Sequence, residues 1–136
     1  MSNSYTQCSC KLPLTADQQN AAEAILKEAA DELANGEEGY CGVQYTVRPD
    51  GVWFHEDESI TLEHLEHLVY SVLDGLKIDT PFIFTWADTC SKPIADAFGG
   101  GACVVKRGYR SFWVNPDEIA RKHRFTKSEK ITKGKS

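Results

Sequence analysis

The stretch "FIFTWADTCSKPIADAFGGGACVV", residues 82–105, decides how this chain can fold. It opens on alternating aromatic residues and closes on a β-branched run, so both ends read as strands. Phe82, Phe84 and Trp86 share one face of the first strand, Ile83 and Thr85 the other. The aromatic face is expected to meet the helices. The connection, read as running from Asp88 to Gly99, is long enough to sit on the surface, where loops often carry function. Gly99, Gly100 and Gly101 remove side chains where the second strand begins, which permits a bulge, a positive φ or close approach of another backbone.

Two readings of the 88–101 loop stand. In the simpler one it is a wide hairpin whose glycines relieve crowding. In the other, Asp88, Cys90, Lys92 and the glycines line a pocket, with Cys90 as nucleophile and the glycines as oxyanion donors. That chemistry needs a base beside Cys90 to make thiolate. Of His55, His64, His67 and His123, only His55 falls on a predicted strand. Neither a Gly-x-Ser-x-Gly elbow nor a Gly-x-x-x-x-Gly-Lys-Ser/Thr phosphate loop occurs. No catalytic residue is therefore assigned.

Working outward, Gly108 permits a tight turn into "SFWVN", the third strand of a meander. Asn115-Pro116-Asp117-Glu118 has the cap, first-turn proline and acids of a short helix start. Upstream, "ESITLEHLEHLVYSVLDGL" reads as a helix capped at Thr61, with Ile60 and Leu65 as a hydrophobic staple. Its buried stripe is Leu62, Leu65, Val69, Val72, Leu73 and Leu76. "GVQYTV" and "VWFHE" flank Pro49-Asp50-Gly51 as a hairpin. Before it, Thr15 and Gln18 form a capping-box pattern that opens a helix ending at Asn35-Gly36. Residues 1–14 read as irregular. The expectation is one α+β domain over residues 15–123, in the order α-ββ-α-βββ-α. An antiparallel sheet of about five strands carries helices on one face. Residues 124–136 are expected to form a mobile basic tail, too polar to offset the entropy of ordering.

The 136 residues suffice for one hydrophobic core. No apolar run approaches the roughly 18 residues of a membrane helix, and the first residues lack a signal-peptide pattern. Five cysteines, an odd count, are expected as reduced thiols in a cytoplasmic protein. Cys8-x-Cys10 lacks the spacing of a zinc knuckle. His64 and His67 could hold a metal with Glu63 or Asp74, but the polar face of an amphipathic helix accounts for them. No metal or other cofactor is expected.

The net charge of −5 hides an asymmetry. From Arg121 onward stand seven basic residues and one acid, Glu129; residues 1–120 hold the remaining 8 basic and 19 acidic residues, a net of −11. The acids gather at Glu56, Asp57 and Glu58, continuing to Glu63 and Glu66, and again on the first helix. Such a face either keeps the protein soluble or steers it to a basic partner. It disfavours nucleic acid on the body, and leaves the tail as the only segment of the right sign for phosphate.

The run Cys90-Ser91-Lys92-Pro93, then Phe98 to Gly101, then Trp113 to Asn115, resembles the C-terminal half shared by a group of small bacteriophage and mobile-element proteins. The resemblance covers about residues 82–115. Ile94 stands where that pattern carries a basic residue. No activity comes with the group. The resemblance implies a phage-type accessory protein acting in the cytoplasm of a bacterial host. The leading expectation is a non-enzymatic protein that binds a host protein through its acidic surface, with inhibition of an antiviral defence system as its use. The alternatives are a small ligand-binding protein or enzyme using the 88–101 loop, and a virion or replication component.

Overall fold

The alternation read at residues 82–86 continues as a nine-residue strand to Cys90, because Ala87 and Thr89 keep the period and Asp88 finds a partner. The computed structural model describes residues 4–90, 99–116, 121, 124 and 126–131. Along them run β1 (Ser4–Gln7), β2 (Cys10–Pro13), a 3-10 turn (Ala16–Gln18), α1 (Gln19–Ala34), β3 (Gln44–Arg48) and β4 (Gly51–His55). Then come α2 (Leu62–Gly75), β5 (Phe82–Cys90), β6 (Gly99–Val105), β7 (Phe112–Val114) and a 3-10 turn (Lys127–Glu129). The class is α+β and every strand pairing is antiparallel, as expected.

The strands divide otherwise than the sequence reading has it. Four form one sheet in the order β1-β5-β6-β7, and three form another in the order β2-β4-β3. The segment read as irregular supplies a strand to each. Ser4–Gln7 pairs with Ala87–Cys90, and Cys10–Pro13 pairs with Gly51–Phe54. Only Cys8 and Ser9 separate the two, so one extended segment stitches the hairpin to the meander. Its side chains alternate without a break. Thr6, Cys8, Cys10, Leu12 and Leu14 turn inward, while Gln7, Ser9, Lys11 and Pro13 are exposed. Pro13 is tolerated because β2 is an edge strand and ends there.

Thr6 also anchors the loop that follows β4. Its N–H donates to Ser59 Oγ (2.9 Å), and its carbonyl accepts the N–H of Ile60 (2.9 Å). The outer edge of β1 is thereby covered, which is one way natural sheets avoid edge-to-edge pairing.

The 3-10 turn before α1 starts where expected: Gln18 Oε1 accepts the N–H of Thr15 (3.0 Å). α1 buries Ala22, Leu26 and Ala29. α2 buries Leu65, Leu68, Val69, Val72 and Leu73, together with His64. The helices approach closely at Gly75, where a Cβ would lie 2.5 Å from Ile25 Cδ1. Phe54, Phe84, Cys103 and Val105 close the core from the sheet side. Phe84 packs edge-on against Trp113 (5.9 Å, 84°), and Ile83 on the opposite face is 60% exposed. The aromatic face is therefore the buried one. The helix expected from Asn115 falls, beyond Pro116, largely outside the described residues, as does part of the 124–136 tail.

Candidate functional site

The 88–101 connection is shorter than its sequence reading. β5 and β6 pair from Phe82↔Val105 to Asp88↔Gly99, so Asp88, Gly99, Gly100 and Gly101 are ladder residues. Asp88 Oδ1 accepts the Thr6 hydroxyl (3.1 Å). A Cβ on Gly101 would meet the Val114 carbonyl at 2.3 Å and the Trp86 indole at 2.5 Å. One on Gly100 would meet the Trp86 carbonyl at 2.5 Å. These two glycines let β6 lie against Trp86 and β7. The Cys90 side chain and Lys92 lie outside the described residues. His55, the base considered for Cys90, sits on the other sheet, where its Nε2 bonds Thr46 Oγ1 (3.1 Å) and its ring stacks on Trp53 (3.9 Å).

What the structure does bring together is an open cleft of about 450 Å³ where the two sheets part. One wall is the switch from β1 to β2, at Gln7, Cys8 and Ser9. The facing wall is β5 at Thr85, Trp86 and Ala87. The rim is Glu56, Asp57 and Glu58, in the loop that Thr6 anchors. Glu56 Oε1 accepts the N–H of Asp57 (3.0 Å) and the Gln44 amide (3.5 Å). Asp57 and Glu58 are exposed, and no cation among the described residues pairs with them. Lys11, by contrast, is held by Asp50, and Arg107 by Asp74 and Asp79.

Sequence reasoning selected the rim and missed the walls. Cys8 lies in the two-residue switch between the sheets and Trp86 on β5, and only the 80-residue pairing of β1 with β5 brings them into one cleft. The available signal was the unbroken alternation from Thr6 to Leu14. It also explains Cys8-x-Cys10: both thiols face inward because they are two residues apart on extended chain. The Cys10 thiol beside it holds the Cys8 thiol below the ordinary thiol value, against the opposing effect of burial. Cys8 and burial together push Cys10 up.

The other acids of the expected face do not join the cleft lining. Glu66 accepts the Ser111 hydroxyl (2.7 Å), and Glu63 is exposed in the first turn of α2. Of the two histidines, His64 departs from the solvent-face reading and His67 does not. His64 is 3% exposed: its Nδ1 accepts the N–H of Gly42 (3.0 Å), which leaves the hydrogen on Nε2 facing Glu38 (3.3 Å). His67 faces Glu32 (3.5 Å). Both tie α2 to α1 and the loop after it. Among the described residues no group of three or more His, Cys, Asp or Glu could hold a metal ion. Nor does any described helix have the length and apolarity to cross a membrane. Compared with protein-family models, with curated proteins and with solved structures, the chain gives no significant match.

Proposed function

We propose that the chain is a phage-type accessory protein that binds a host protein, using the acidic rim of the cleft between the sheets. The observation that carries this reading is the placement of Asp57 and Glu58, exposed and uncompensated, at the mouth of a concave site that Trp86 helps to line. Their charge favours a lysine or arginine of the partner over any acidic ligand. The half-buried Trp86 offers that cation a π surface as well as apolar contact. A volume of about 450 Å³ admits a side chain or a short loop. The bacterial setting comes from the resemblance over residues 82–115; inhibition of an antiviral defence system is the use proposed for such binding.

The test is affinity capture from host lysate, followed by binding kinetics on the captured protein. Reversing Glu56, Asp57 and Glu58 to Lys should slow association and weaken its fall with rising salt, with the fold intact, since surface substitutions rarely exceed about 0.5 kcal/mol each. Truncation after Arg124 should change little, because the tail has the wrong sign for a basic target. Normal binding by the triple variant, with loss on truncation, would overturn the reading and move the site to the tail.

A further inference from the structure

We infer that Cys8 and Cys10 form a redox-active dithiol, in which Cys8 reacts first with a small cationic disulfide and Cys10 resolves the adduct. This stands apart from the docking reading, although Cys8 shares the cleft. The geometry has three parts. Both thiols are half-buried against the core, and of the two only Cys8 also lines the open cleft. The two thiols face the same way, two residues apart on extended chain. Residues two apart on a strand rise about 6.6 Å, at the upper edge of the roughly 4.4–6.8 Å Cα separation of disulfides. Ser9 between them belongs to neither strand, so the small closure needed falls on a residue free of the ladder.

The remaining described thiols are placed differently. Cys103 is fully buried, and the Cys41 thiol donates to the Val43 carbonyl (3.5 Å) in the loop before β3. The direction of the Cys8 and Cys10 shifts agrees with the roles, the thiolate being the attacking form. Glu56, Asp57 and Glu58 face the same cleft, which repels an anionic disulfide and attracts a cationic one.

In the first step the Cys8 thiolate attacks one sulfur of the small disulfide. Its S–S bond breaks, and one thiolate leaves and takes a proton from water. In the second the Cys10 sulfur, its proton passed to water, attacks the Cys8 sulfur and expels the second small thiolate. Two protein thiols are oxidised, and one disulfide is reduced to two thiols. A ring closed at the limit of its span is readily reopened by an ordinary thiol.

The experiment treats the full chain with cystamine, a cationic disulfide, and in parallel with glutathione disulfide. Tryptic peptides are then weighed. The peptide ending at Lys11 contains Cys8 and Cys10 and no other cysteine. It should lose two hydrogens and keep no adduct, about tenfold faster than the peptide ending at Arg48, whose one cysteine is Cys41, reacts. Cystamine should act faster than glutathione disulfide. Cys10→Ser should trap cysteamine on Cys8. An unmodified peptide, a persistent adduct in the wild type, or reaction of the Cys41 peptide at the same rate would overturn the inference. The wild-type peptide map decides even where a variant fails to fold.

Discussion

Replacing Gly101 by Ala should destabilise the protein, whereas the same change at Gly99 should not. At Gly101 the new methyl would sit 2.3 Å from the Val114 carbonyl and 2.5–2.7 Å from the Trp86 ring. Ordinary contact begins near 3.4 Å, so the overlap with the carbonyl is about 1 Å. The indole can turn; the carbonyl belongs to β7, which has only three residues and pairs only with β6. Overpacking of this kind costs about 1–3 kcal/mol, offset by about 0.4–1 kcal/mol for the reduced freedom of the unfolded chain. The net loss should be about 1–2 kcal/mol. At Gly99 the nearest atom is Asp88 Oδ2 at 3.5 Å, so only the favourable part remains. Urea denaturation followed by far-ultraviolet circular dichroism measures both. If Gly101→Ala is as stable as the wild type, or Gly99→Ala is the costlier, the glycines do not serve packing and the account of this hairpin is wrong.

Phe84→Ala should cost about 3–5 kcal/mol, since Phe84 is 2% exposed; a loss below about 1 kcal/mol would place that face in solvent. His64→Ala should cost about 1–3 kcal/mol by leaving the Gly42 N–H buried without an acceptor, and amide exchange at Gly42 should quicken. Burial pushes the Cys103 thiol up to about 12 from its ordinary 9.0. Between those values the unfolded chain releases the proton and the folded chain keeps it. Stability contributed by the thiol is therefore full below pH 9 and lost as pH rises towards 12. Cys103→Ala should remove that alkaline slope; parallel stability curves for the two proteins would refute the burial argument.

Local chemistry was legible wherever one segment decides its own structure. The Thr15–Gln18 cap, the Pro49-Asp50-Gly51 turn and the aromatic alternation of Phe82, Phe84 and Trp86 stand as read; the α2 stripe holds at Leu65, Val69, Val72 and Leu73, whereas Leu62 and Leu76 are half-buried and Leu68, not in it, is buried. The seam from Ser4 to Pro13 carries only its alternation as a signal. Its inward residues begin with Thr6, Cys8 and Cys10, which carry little of the hydrophobic signal that marks a strand. Its partners lie some 40 and 80 residues away, and nothing local names them. The division into two sheets follows from that seam, so it was missed too. His64 was misjudged because a polar side chain on a helix counts as solvent-facing until a buried N–H, here that of Gly42, claims it. The rim of the cleft was visible as three consecutive acids; its Trp86 and Cys8 walls exist only after long-range pairing.

The seam also sets an order of events during synthesis. Cys10–Pro13 can pair once Gly51–Phe54 has emerged, but Ser4–Gln7 must wait for Ala87–Cys90. At about 5–20 residues per second, the interval between Gln7 and Ala87 is roughly 4–16 s. The hairpin sheet can therefore close on the ribosome well before the meander exists. Ser4–Gln7 hangs from it as an unpaired strand until β5 arrives. Whatever captures that strand in the meantime, a chaperone or the matching segment of a neighbouring nascent chain, competes directly with formation of the cleft.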